Sequence, residues 1–405
     1  MHIWIVTQYF PPEIGAAAVR LGRLAHLLAA DRHCVTVLTG MPNYPSGVIA
    51  PEYRGRLLQR ESWHGVDVRR TWVYASPSKR ARARLLNQFS LMGMAALRGT
   101  FLPRPDVLLV ESHPLPMALA GMWLRRVRHI PMVLNVSDLW PESAVATGAL
   151  SADSAIVKAA LRVERRAYRE AAAIIAMTEG VAAGIEVVIG ESKKISLIKN
   201  GVDLTLFRPG QSALRAEMRA RLGLGDAFVV VHVGNMSLTY DFTMMLDTAA
   251  RCPDMHFLFV GDGSQGEYVR ARAADLPNVT LTGTLPHDQM PGVWAAADAA
   301  VIAMRDTSLA DGTRPAKLYE ALAAGVPVVA AIRGEGASLI REAGAGEVVP
   351  LGDSAGMAAA LIALAADPAR RRQLSQAGRA YAEHNLAPEQ VVAAYARVLQ
   401  KAAKA

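Results

Sequence analysis

Cysteine is nearly missing from this 405-residue chain, where Cys34 and Cys252 are the only two. That excludes a disulfide framework and suits a reducing cytoplasm. No Asp-x-Asp pair occurs, and the ten histidines are widely scattered, so the sequence supports no dedicated divalent-metal site. Long apolar runs are missing as well. Hydrophobic residues make up 52% of the chain but come in short stretches. The longest, Leu85 to Leu102, is broken by Asn87, Gln88 and Arg98 and makes no convincing membrane span. A secretory leader is not expected, because Met1-His2-Ile3-Trp4-Ile5-Val6 runs straight into a polar, proline-bearing loop. Repeats and low-complexity tracts are absent, apart from an alanine-rich tail of helical character.

What the chain does carry is positive charge, +8 in formal terms, which suggests an anionic partner: a nucleotide, a membrane surface or a nucleic acid. Nucleic acid fits least, since the basic residues are not interleaved with aromatic stacking positions and no nucleic-acid module is recognisable. The length allows two domains, each with its own core. Apolar strands alternate with helical patterns throughout. "HIWIVTQYF", "CVTVLTG", "DVLLVES" and "PMVLNVSD" read as strands, with "AAAVRLGRLAHLLAA" and "PMALAGMWLRRVR" as helices. After "NGVDLTLFRPG" the same alternation restarts with "AFVVVHVGN", "MHFLFVGDG", "VTLTGTL" and "AAVIAM". The fold class is therefore α/β: two doubly wound, Rossmann-like domains with mostly parallel sheets, a hinge near Asn200 to Pro209 and an expected cleft between them.

Ligands of such sheets bind beyond the carboxyl ends of the strands. "DGTRPAKLYEALAAGVPVVAA", Asp311 to Ala331, is the most informative such stretch. Pro315 suits the first turn of a helix and Gly325 its stop. The helix start then offers free amides and a partial positive charge beside Arg314 and Lys317, which makes an anion site that phosphate fits best. Helical side chains lean toward the N-terminus, so Glu320 can accept hydrogen bonds from hydroxyls next to that phosphate. A diphosphate beside a diol is a nucleotide. The plain alternative has Glu320 and Lys317 as solvated helix residues.

This stretch, together with "NGVDLTLFRP", "VGDG" and "LTGTLPHDQMPGVWAAADAAV", resembles the family-4 retaining glycosyltransferases of the GT-B fold. "QYFPPEIGAAAVRLGRLAHLLA" and "SDLWPESAVATG" resemble, more narrowly, the fucosamine and colanic-acid-type enzymes of bacterial surface polysaccharides. The resemblance covers nearly the whole chain. It implies an acceptor-binding domain over residues 1–200, a nucleotide-sugar-binding domain over 201–382, and a C-terminal helix over 383–405 that packs back toward the first domain.

The resemblance also implies roles. Glu320 matches the second glutamate of a Glu-x7-Glu motif and would bind the donor ribose. The first glutamate is replaced by Gly312, with Asp311 beside it as a substitute for the contact to the sugar. Amides near Ala316, Lys317 and Leu318 would hold the diphosphate. "GNMSLTYDF" lacks the family's usual arginine and lysine, which leaves Lys317 and Arg314 to carry that charge. Gly234, Asn235, Asp262, Gly263, Leu285 and Thr313 complete the expected donor surface. In the first domain Gly15 matches the glycine loop, and His113 matches a histidine close to the transferred sugar. Glu13 and Asp138 would face the acceptor. A strand-end histidine and a helix-capping aspartate are the plain readings of His113 and Asp138.

The implied reaction is transfer of a sugar from a nucleoside-diphosphate donor, UDP-linked in this reading, with retention and without metal or cofactor, onto an undecaprenyl-diphosphate-linked saccharide. Two other GT-B-related readings are a sugar-nucleotide 2-epimerase and a non-catalytic sugar-nucleotide-binding subunit. A dehydrogenase is further off. "GDGSQG", Gly261 to Gly266, satisfies G-x-G-x-x-G, but only Thr282 stands where an acidic residue is wanted. Finally, Lys79, Arg80, Arg82 and Arg84 precede an apolar helix pattern with Phe89, Leu91, Met92 and Met94. That predicts either docking on the inner, anionic face of the cytoplasmic membrane or a core helix with a solvated basic end.

Overall fold

The opening run HIWIV, buried on both faces, becomes β1 (His2–Val6) in the middle of a sheet. The computed structural model describes the chain apart from residues 79, 147–149, 191, 308–309 and 405. It divides into two units, residues 1–199 together with those from 389 onward, and residues 200–388.

In the first unit β1 is joined by β2 (Cys34–Gly40), β3 (Leu58–Trp63), β4 (Val66–Thr71), β5 (Val107–Glu111), β6 (Met132–Val136), β7 (Ala173–Ala176) and β8 (Ile195–Leu197). Their order is 3-4-2-1-5-6-7-8, and only the β3–β4 pair is antiparallel. That edge hairpin escaped the sequence reading, because LQRESW holds no apolar run and its burial alternates as in a solvent-facing strand. Its turn is His64-Gly65, both at positive φ, as a two-residue hairpin turn requires. The helix Pro388–Ala403 lays Val392, Tyr395, Ala396 and Leu399 on the sheet face built by Ile3, Ile5, Val107 and Leu109. Helix Pro368–Asn385, by contrast, belongs to the second unit.

The second unit contains β9 (Phe228–Val233), β10 (Met255–Val260), β11 (Val279–Gly283), β12 (Ala299–Ala303), β13 (Val328–Ala331) and β14 (Gly346–Val349). All pair in parallel, in the order 11-10-9-12-13-14. The two-residue period divides its core. Val229, Val231, Leu258 and Ile302 face one helix layer, while Val230, Phe257, Phe259 and Val301 face the other. Strand order reverses between β9 and β12, and a doubly wound sheet opens its ligand crevice at that point. No helix among the described residues is long and apolar enough to cross a membrane.

Candidate functional site

The chain leaves β12 and enters the helix Ala316–Ala324, with Pro315 at the N-cap and Gly325 at the C-cap in the left-handed region. Leu318, Tyr319, Ala321 and Leu322 bury the helix against the core. The first amides of a helix have no partner within it. Leu318, expected to add a third amide toward an anion, instead donates to Pro315 O at 3.0 Å. Ala316 and Lys317 remain.

Lys317 is buried rather than solvated. Its Nζ lies 2.8 Å from His232 Nε2 and 3.8 Å from the centre of the Tyr240 ring. Burial pushes the Lys317 pKa well below that of an ordinary lysine, and Glu320 only partly opposes this. Glu320 Oε2 accepts from Trp294 Nε1 at 2.9 Å. Burial raises the Glu320 pKa, with the Trp294 bond and Lys317 pulling it back down. Trp294 thus fixes the carboxylate by a hydrogen bond, while Lys317 acts on it through its charge.

Arg314 behaves differently from the free phosphate cation expected of it. Its buried guanidinium turns to Glu335, with Nε 2.9 Å from Oε2. A cation this deep requires a carboxylate, and the pair consumes the charge. Asp311 is exposed and pairs with Arg333 at 3.0 Å, next to Gly312 in a short 3-10 turn. Thr313 joins that turn to the helix, its amide donating to Ala310 O.

Two glycine loops meet beside Lys317. Gly234 has φ +119°, and a Cβ there would stand 3.4 Å from Lys317 Nζ. A Cβ at Gly261 would stand 2.0 Å from Gly234 O, so neither loop tolerates a side chain at this crossing. Asn235 Oδ1 crowds Gly263 in the same way. Asp262 Oδ1 accepts from the Gly263 amide at 2.7 Å and lies against Gly266, the first residue of helix Gly266–Ala273. A carboxylate thus occupies the helix start that a dinucleotide's pyrophosphate would need, which removes the dehydrogenase reading of "GDGSQG". Leu285 packs on the unit's core.

In the first unit, Gly15 caps the helix Ala16–Ala30 with extended backbone, against Tyr44. Glu13, expected to face an acceptor, is instead buried and committed. Oε1 accepts from the amides of Asn43 and Tyr44, both at 2.9 Å, and Oε2 from that of Phe10 at 3.3 Å. Its role is to tie two loops together. His113 follows β5, with a buried Nδ1 that has no hydrogen-bond partner, and Asp138 is half-buried after β6. Arg80 precedes the exposed Arg82 and Arg84 at the start of helix Ala81–Phe101, and Lys79 lies outside the described residues.

His232 and Trp294 were not picked out from sequence. The signal for His232 was a lone polar residue inside the buried strand FVVVHV. Trp294, in "MPGVWAAAD", reads as core, which it also is.

Residues 15–201 match the family described as glycosyl transferase 4-like domain, and residues 227–367 match glycosyl transferases group 1. A GDP-mannose-dependent α-(1-6)-phosphatidylinositol monomannoside mannosyltransferase of Mycolicibacterium smegmatis is 33% identical over 207 residues, 48% of this chain and 53% of that protein. The chain thus spans about half the length of this relative. A D-inositol 3-phosphate glycosyltransferase of Catenulispora acidiphila is 29% identical over 72% of this chain and 70% of its own. Among solved structures, Anabaena HepE in complex with UDP-glucose superposes with a TM-score of 0.75 at 19% identity, covering 99% of this chain and 100% of that one. Sucrose-phosphate synthase from Thermosynechococcus elongatus gives 0.79 at 19% identity, covering 99% and 98%. These likenesses show the fold, two Rossmann-like domains of the GT-B type.

Proposed function

We propose that the chain, whose residues 15–201 and 227–367 match two glycosyltransferase families, is a family-4 glycosyltransferase that moves a sugar from a nucleoside-diphosphate donor to a saccharide carried on a lipid diphosphate. The observation that carries this is the buried Lys317 beside Glu320, at the helix start that follows the sheet's switch point. The ammonium and the amides of Ala316 and Lys317 suit a diphosphate, and Glu320 suits the ribose diol. HepE, solved with UDP-glucose and with UDP, supports a uridine donor. The mannosyltransferase relative, named for a phosphatidylinositol mannoside, supports an acceptor with a lipid part.

Transfer proceeds with retention. The acceptor oxygen bonds to the anomeric carbon on the face from which the diphosphate departs, and its proton passes to an oxygen of the leaving diphosphate. Charge growing on that group is met by Lys317 and the helix amides, an electrostatic contribution made by the protein alone. His113 and Asp138 serve the sugar and the acceptor from the first unit. The fucosamine and colanic-acid branch of surface polysaccharide synthesis is the setting that "SDLWPES" favours. Helix Ala81–Phe101 rests on the membrane that carries the acceptor.

A thermal-shift screen of nucleotide sugars followed by transfer assays tests this reading, since a ligand of the folded state raises its melting temperature. Transfer from one UDP-sugar to a lipid-diphosphate saccharide, continuing in excess EDTA, is expected. Conversion of donor without acceptor would replace the proposal with an epimerase. Tight donor binding without turnover on any acceptor would replace it with a binding subunit. Activity restored only by magnesium or manganese would overturn its metal-free chemistry.

A further inference from the structure

Strands β9 and β12 pair only where Val230 and Val231 meet Ala299 and Ala300. Beyond that they part, and residues 239–241 come in beside the end of β12. Asp241 N donates to Ala303 O and Arg305 N to Thr239 O, each at 2.9 Å. His232 stands where the strands part, 1% exposed. Its Nδ1 lies 3.0 Å from Val301 O and its Nε2 lies 2.8 Å from Lys317 Nζ. A carbonyl can only accept, so Nδ1 carries the hydrogen and Nε2 presents its lone pair to the lysine. The rings of Tyr240 and Phe242, with centres 5.3 and 5.2 Å away, hold the imidazole in place.

We propose that His232 is a positioning residue that holds Lys317 ready for the donor diphosphate without neutralising it. An aspartate or glutamate in its place would also hold the amine but would compete with the phosphate for its charge. A neutral imidazole orients the amine and leaves the charge to the ligand. Burial and the adjacent lysine push the His232 pKa well down, which keeps the ring neutral. The titratable groups facing Lys317 are His232 from β9, Tyr240 from the inserted segment and Glu320 from its own helix. Tyr240, with its pKa pushed up to about 12 by burial, stays neutral as well. With the site empty, the lysine's pKa is held down. A diphosphate raises it again, so binding takes up a proton, and affinity falls as pH rises through the empty-site pKa.

This inference rests on the reading of Lys317 as the diphosphate ligand, and the experiment separates the two. UDP binding to the full chain is measured by calorimetry from pH 6 to 9, in buffers of different ionisation enthalpy. Wild type is expected to show proton uptake. His232→Phe, which keeps an aromatic ring but offers the amine no acceptor, is expected to weaken UDP by roughly ten- to a hundredfold, with the uptake kept because burial still holds the lysine's pKa down. His232→Gln, which restores an acceptor, is expected to recover most of the affinity. Binding heats independent of buffer in wild type, or wild-type UDP affinity in His232→Phe, overturns the proposal. Equal weakening by both variants overturns it too, by making His232 structural only. Wild-type affinity in Lys317→Met would instead remove the donor-site reading itself.

Discussion

Glu320 gives one carboxylate oxygen to Trp294, and the ribose reading uses the other. Glu320→Ala is expected to lose roughly 1–3 kcal/mol of UDP-sugar affinity, the scale for a charged acceptor removed from a buried site. The melting temperature should hardly change. Unaltered affinity in calorimetry would end the ribose assignment. A second carboxylate, Glu164, is buried in the first unit and accepts from Tyr168 Oη at 2.8 Å. Burial raises its pKa from 4.5 to about 7. The folded state therefore binds the proton more tightly than the unfolded one, so stability declines as pH rises from about 4.5 and levels off above about 7. The loss is on the order of 3 kcal/mol. Glu164→Gln keeps an acceptor for Tyr168 and is expected to raise the melting temperature at pH 8 but not at pH 4. An equal effect at both pH values would show that charge is not the cause. Single residues were the least legible part of this sequence. Lys317 and Glu320 stood out by type and spacing, whereas the partners that hold them arrive from β9 and helix Met290–Ala296, far away along the chain.

Elements were easier to read, because a fully buried parallel strand is a short apolar run and a helix has its own period. The helix Ala81–Phe101 was legible only in part. Leu91, Ala95 and Ala96 face the core, yet Leu86, Phe89, Leu97 and Phe101 are exposed, Phe101 by 80%. Trp123 and Val127 of helix Pro116–Arg128 are exposed too, and Trp123 bonds to Thr100 at 3.2 Å. Periodicity could not tell that the helix has two apolar faces, since this depends on which neighbours arrive. An apolar stripe with Arg80, Arg82 and Arg84 at its head suits an anionic leaflet. Changing the three arginines to glutamine is expected to weaken binding to anionic vesicles by about 1 kcal/mol each, less as salt rises. Transfer to a short soluble acceptor should survive. Equal vesicle binding at low salt would reduce the segment to a solvated helix.

At the scale of the whole molecule, the division into two α/β halves could be read from the restart of strand–helix alternation after Pro209. Strand–helix alternation does not tell which unit each end helix completes; the return of the C-terminal helix to the first unit was implied by the family resemblance alone. The second unit closes on itself, with Val202 N donating to Leu386 O at 3.0 Å. The first needs helix Pro388–Ala403, whose Tyr395 Oη lies 2.7 Å from Asn135 Oδ1 in the core. A fragment of residues 200–388 is therefore expected to melt cooperatively and bind UDP, while residues 1–199 alone should aggregate. A soluble, cooperatively melting 1–199 fragment would contradict that dependence. The same dependence sets a timetable on the ribosome. Roughly 190 residues separate the first sheet from the helix that covers it, and at about 5–20 residues per second they take some ten to forty seconds to emerge. Through that interval the Ile3, Ile5, Val107 and Leu109 face has helix Ala16–Ala30 against it but lacks the cover of Val392, Tyr395, Ala396 and Leu399. The half of the protein made first is thus the half finished last, and a holding chaperone has a defined patch and a defined interval in which to act.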